Sequence, residues 1–112
     1  MSNELVSESD VERALDFLRD SAVEIGAAKE RLVKAEAMVK HRKALLMAKY
    51  NELPVNAQER EAVASPEYEK AILEHAVAAG EFETLRAYRE AAAMKIEVFR
   101  TMAANFRAMR IG

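Results

Sequence analysis

The densest run of chemistry-bearing side chains is Lys40-His41-Arg42-Lys43, followed closely by Lys49 and Tyr50. Clustered ammonium and guanidinium groups attract phosphates, and a neighbouring ring offers a face on which an unpaired base can stack. The pattern therefore suits a single-stranded nucleic acid. Four consecutive residues wrap around a helix, so they do not share one face. Lys43 falls near the packing stripe described below, while Lys40 and Arg42 point elsewhere. The same charges also have a structural use, as complements of Glu67, Glu69 and Glu74 later in the chain. A second basic end, Arg100, Arg107 and Arg110, is matched by acids in the N-terminal part.

Other chemistry is poorly supplied. A metal site built between facing helices needs a Glu-x-x-His pair on each. Glu36 and His41 are five apart, Glu74 adjoins His75, and Tyr68 and Ile72 stand where glutamates are wanted. Both histidines read as surface or rim residues. Ser2, Ser7, Ser9, Ser21 and Ser65 lie near the N-terminus or at a helix start, without a base beside them. Gly26, Gly80 and Gly112 make no phosphate-cradling loop. With no cysteine there is neither a disulfide framework nor a thiolate zinc site. We expect no enzyme, no cofactor and no metal.

Composition sets wider bounds. A chain of 112 residues is one domain by length, and a formal charge of −2 gives no global attraction to nucleic acid. Tryptophan is absent and alanine, glutamate, lysine and arginine are abundant, which favours helices over sheets. No apolar run reaches the roughly 18 residues needed to cross a bilayer. Met1 to Asp10 is acidic and polar, unlike a secretory signal. The expectation is a soluble cytoplasmic protein without a membrane partner.

The elements that must position the basic cluster follow from one series. Val11, Leu18, Ile25, Leu32, Val39, Leu46 and Leu53 recur every seventh residue. On a helix that period makes a narrow stripe, the seam of a coiled-coil-like packing. Ser9 and Glu12 suggest a capping box, giving a helix over about 10–52 after a flexible tail, 1–8. Pro54 ends it. A loop over 53–65 holds at most a short turn capped by Asn56. Ser65-Pro66-Glu67 starts a second helix, 66–109, with an N-cap, a first-turn proline and a first-turn acid in order. Along it Phe82, Leu85, Tyr88, Ala92, Ile96, Phe99, Met102, Phe106 and Met109 follow three-and-four spacing. Gly26 and Gly80 fall inside helices and read as close-packing points.

The expected fold is all-α: a single domain, 1–112, forming a long antiparallel two-helix hairpin that assembles into a helical oligomer. Charge blocks agree with it. Acids dominate 1–28 and 50–83, and bases dominate 29–49 and 84–112. A hairpin closing near residue 59 sets opposite signs together and penalises the parallel arrangement. One hairpin buries little, so leftover apolar surface, chiefly Phe82, Tyr88, Phe99 and Phe106, predicts a homo-oligomer.

Ser65-Pro66-Glu67-Tyr68-Glu69, Glu83-Thr84-Leu85-Arg86, Met94 to Arg100 and Asn105-Phe106-Arg107 together resemble small helical proteins of phages and prophages. Such proteins often lie near genes for homologous recombination. The layout is also similar to the UvsY-like phage recombination mediators: a long helix ending in a basic-then-tyrosine stretch, a polar loop, then a long helix ending in Met109-Arg110. That resemblance implies a helical oligomer in the bacterial host cytoplasm. It would bind single-stranded DNA and help load a recombinase against a single-strand-binding protein. The family's Lys-Ala-Arg-Leu contact segment corresponds to Lys43-Ala44-Leu45-Leu46 with Ala48-Lys49-Tyr50. The resemblance carries over Lys43 and Lys49, and Arg42 and Lys40 stand in for the second base, which has no counterpart at the family's spacing. A phage-encoded inhibitor or adaptor that binds a protein and no DNA, such as an anti-defence protein, is the competing expectation.

Overall fold

A computed structural model describes residues 5–111, with side chains as far as Arg110. The chain is all-α: α1 (Glu8–Asp20), α2 (Ala22–Ala48), α3 (Val55–Val63) and α4 (Pro66–Ile111). The helix starts follow local chemistry. Ser7 Oγ accepts from the Asp10 N–H at 3.1 Å, and the Asp10 carboxylate accepts from the Ser7 N–H at 3.0 Å. This reciprocal box sits two residues ahead of the expected Ser9–Glu12 pair, and Ser9 instead accepts from the Arg13 guanidinium. The Ser7 backbone amide, then its hydroxyl, hold the Asp10 carboxyl below its ordinary pKa. At the start of α4, Ser65 Oγ accepts from the Tyr68 N–H, as the Ser-Pro-Glu signal predicts.

The expected tail lies partly outside the described residues. Within them Val6 is buried and lines a cavity with Phe99, Met102, Ala103 and Phe106. At the other end α2 stops at Ala48, because the Lys49 and Tyr50 amides turn back to Leu46 and Met47 with tighter three-residue spacing. Leu53, the last member of the sevenfold series, is therefore off the helix and exposed. The expected loop contains a full helix, α3. It begins after Pro54 without a side-chain cap, and Asn56 uses its side chain on the Ala57 amide instead.

The chain forms two compact units, Met1–Ile25 with Thr84–Gly112, and Gly26–Glu83. A two-helix seam makes only local contacts, so its cohesion is local. In the first unit α1 runs antiparallel to the later part of α4. Val6 lies by Phe99, whereas Phe17 lies by Tyr88. In the second, α2 runs antiparallel to the earlier part of α4. Arg31 meets Glu81 at 3.7 Å, and Ala35 faces Leu73 and Val77. A turn centred at residue 59 would have set Arg31 against Ala87. Insertion of α3 makes the connection asymmetric and shifts the pairing along α4.

The seam is built from small residues. Ala14, Ser21 and Ala92 are buried in the first unit, and Ala28, Ala62, Ala71 and Ala78 in the second, with Leu46. Val11, Leu18, Ile25, Leu32 and Val39 lie half-buried between them. Small side chains let helix axes approach closely, and the larger members close over the gaps.

One seam position differs from the sequence pattern. Three-and-four spacing from Leu85 to Ala92 passes through either Tyr88 or Arg89. Tyr88 is 63% exposed, and Arg89 takes the inner place. Its Nη1 donates to the Leu18 carbonyl at 2.8 Å and to Ser21 Oγ at 2.6 Å. The Ser21 hydroxyl donates to the Phe17 carbonyl at 2.6 Å. In an unbroken helix the Leu18 carbonyl would accept from the Ala22 amide. Here Ser21, with ψ near 0°, separates α1 from α2, and the guanidinium takes that acceptor. A side chain inserted into the ladder, beside a serine bonded back four residues, is a recognised cause of helix distortion.

Gly26 and Gly80 are helical but are not close-packing points: a Cβ on either would meet nothing within 4 Å. Gly26→Ala should therefore stabilise the protein by about 0.5–1 kcal/mol, read as a raised urea midpoint with unchanged slope. A loss of stability would show a contact that the free space does not contain. For the inserted arginine, Arg89→Leu should destabilise by about 1–3 kcal/mol by stranding the Leu18 carbonyl. Adding Ser21→Ala should recover most of that loss, since an apolar pair with a healed helix needs no polar partner. Additive losses in the double variant would contradict this account.

Candidate functional site

The basic cluster lies at the C-terminal end of α2, where the last helical turn passes into the turn before α3. Lys40, His41, Arg42 and Lys49 are exposed, and Lys43 and Tyr50 are half-buried. The helix spreads the first four residues around its circumference, and the turn at Lys49 brings Tyr50 against the protein. The complement expected from Glu67, Glu69 and Glu74 does not form. Among the described residues none of these three makes an ion pair, and neither do Lys40, Arg42 or Lys49.

Lys43 behaves differently from its neighbours. Its Nζ donates to Glu59 Oε1 at 2.7 Å, tying α2 to α3. The hydrogen bond raises the Lys43 pKa and lowers that of Glu59. Lys43 therefore serves the fold, and the nucleic-acid candidates that remain outward are Lys40, Arg42 and Lys49, with Tyr50 at the edge. Sequence reading missed Glu59 because the acid sits on a helix that was expected to be loop.

The second group of expected residues divides in two. Tyr88 and Phe106 are 63% and 62% exposed, as an interface reading requires. Phe82 and Phe99 are half-buried within their units. Lys29 Nζ lies 5.0 Å from the centre of the Phe82 ring, covering it with a cation. Phe99 lines the cavity that holds Val6. Apolar residues that sequence reading did not single out are open as well, notably Leu73, Val77 and Met94. They fall between the seam positions of α4, and their exposure follows only once the seam register is known.

Arg100 pairs with Glu97 on its own helix, and the Arg110 guanidinium lies 5.9 Å from the Phe106 ring centre. Neither contact reaches the N-terminal acids. His41 is exposed and His75 half-buried. Among the described residues no group of three or more histidines and carboxylates is placed to hold a metal ion, and no helix is long and apolar enough to cross a membrane.

The Lys43–Glu59 clasp has a defined pH window. Glu59 has a depressed pKa, so its contribution is complete above the ordinary glutamate value of 4.5 and disappears as pH falls through the depressed one. Lys43 has a raised pKa, so its contribution is complete below the ordinary 10.5 and disappears as pH rises through the raised value. Amide chemical shifts of α3 should therefore hold steady across the middle range and move at both extremes. Lys43→Met should abolish the alkaline transition and move the acid one up toward the ordinary glutamate range. If the variant kept the wild-type pH profile, the clasp would not be what secures α3.

Comparison with known proteins gives no match to a family model, to a curated protein or to a solved structure.

Proposed function

We propose that this chain is a phage-type accessory protein of DNA recombination. It binds single-stranded DNA without strong sequence preference and assists loading of a recombinase in the presence of a single-strand-binding protein. The observation that supports this reading is the unpaired state of Lys40, Arg42 and Lys49. A fold that needed these charges for pairing would use Glu67, Glu69 or Glu74, which lie free on the same unit. Solvated cations beside a tyrosine edge are what a flexible phosphate backbone requires. Three such charges bind weakly in one chain, and repetition around a homo-oligomer makes the patch multivalent. The compartment is the bacterial host cytoplasm.

The experiment is titration of labelled single-stranded oligonucleotide at several salt concentrations. Affinity should fall as salt rises, because phosphate contacts release counterions. Lys40→Ala with Arg42→Ala should weaken binding several-fold per chain and flatten the log–log salt slope by about 0.7 per lost contact. Helicity should be unchanged, since neither residue holds another in place. Absence of single-strand binding by the wild-type chain at low salt would remove this function. The second reading, a phage-encoded protein-binding inhibitor or adaptor, would then lead, supported by the open apolar residues of α4.

A further inference from the structure

We infer that the groove beside the α2–α4 seam in the unit Gly26–Glu83 is the docking face for a second copy of this chain, with the two α4 helices antiparallel about a two-fold axis between His75 and Ala76. This goes beyond DNA binding and rests on the assembly part of the proposed function. It names a surface different from the aromatic one expected from sequence.

The groove has a volume of about 510 Å³ and is open along one side. Its floor is Ala35 and Ala78, and its exposed apolar wall is Leu73 and Val77, 57% and 61% accessible. Lys70 stands at one end and Glu81 at the other. Lys70, Leu73, Val77 and Glu81 recur at three- and four-residue spacing, so they form one stripe of α4. An apolar centre with a cation at one end and an anion at the other is self-complementary under a two-fold axis. About the stated axis, Lys70 of one copy meets Glu81 of the other at both ends, Leu73 of one meets Ala78 of the other, and Val77 of one meets the aliphatic stem of Glu74 of the other, which also lines the groove. A parallel pairing sets lysine on lysine and glutamate on glutamate, which is disfavoured.

Two further observations agree. Among the described residues Lys70 makes no ion pair, and Glu81 has only the long 3.7 Å contact with Arg31. Gly80 lies one turn beyond Val77 on α4. It weakens the helix, yet no side chain of its own chain fills the space where a Cβ would be. A helix of a second copy resting there gives that glycine a use.

The test is sedimentation of the full-length chain without DNA. Wild type should run as a dimer or a multiple of one. Leu73→Asp with Val77→Asp should give monomer at concentrations where wild type associates, with helicity retained because both positions are open. Lys70→Glu and Glu81→Lys should each weaken association roughly ten-fold or more. An equimolar mixture of those two variants restores opposite charges at both ends of the axis and should regain the wild-type mass. A monomeric wild type would overturn this inference and the assembly reading together. An oligomeric wild type whose mass ignores Leu73→Asp with Val77→Asp would overturn this inference alone, leaving assembly to the aromatic surface. Failure of the mixture to reassociate would overturn the antiparallel two-fold.

Discussion

The structure depends on how little surface two helices can hide from water when each has a single neighbour. Only a strip of each side of the contact is removed from solvent, and here that strip is lined with Ala14, Ala28, Ala71, Ala78 and Ala92. Alanine contributes little burial per residue, but it has the highest helix propensity and lets backbones approach. No large side chain is fully buried anywhere among the described residues. Cohesion within each unit is therefore distributed along its seam as many small contacts. The third helix relieves the constraint in one unit only. α3 closes over the end of the α2–α4 pair and buries Ala62 completely.

A thin seam also explains why it tolerates an arginine. Arg89 is long enough to keep a half-buried stem at the contact while its head reaches polar acceptors across it. The head finds the Leu18 carbonyl and the Ser21 hydroxyl at the point where α1 gives way to α2. Each feature accounts for the other. Without the break the carbonyl would be occupied, and without the guanidinium the break would leave a half-buried acceptor unpaired. In a thick aliphatic core the same arrangement would carry a severe desolvation penalty. Here Arg89 is only half-buried, and its Nη1 serves both acceptors.

Much of the architecture was legible in the sequence because it follows from local rules. The sevenfold series from Val11 to Leu46 marks the seam of α1 and α2, and Ser65-Pro66-Glu67 marks the start of α4. What was not legible depends on contacts distant in sequence. Tyr88 is the more apolar choice beside Leu85 and continues the three-and-four series, although it was also expected as leftover apolar surface. Arg89 displaces it because Ser21 and the Leu18 carbonyl wait across the seam. Gly26 and Gly80 look like contact points in one dimension, and only the positions of neighbouring helices show the space around them to be empty. The partner of Lys43 was unreadable for the same reason. Glu59 becomes available only when Val55–Val63 forms a helix that carries it toward α2.

That last point bears on what the surface can do. Blocks of opposite charge along a sequence suggest mutual neutralisation, but neutralisation needs register as well as sign. The asymmetric connection made by α3 moves the pairing along α4, so most of the expected pairs do not meet. Arg31–Glu81 and Lys43–Glu59 join different helices, whereas Arg13–Asp10, Arg19–Asp16, Arg19–Asp20, Arg86–Glu90 and Arg100–Glu97 join neighbours on one helix. Exposed pairs contribute only about 0–1 kcal/mol, so the fold loses little by leaving them unmade. The charges so released keep their fields and stay hydrated. On α2 and the turn after it they leave Lys40, Arg42 and Lys49 outward, and on α4 an apolar stripe ends in opposite charges at Lys70 and Glu81. The fold thus presents two outward surfaces of different character, cations at the end of α2 and an apolar stripe with charged ends on α4.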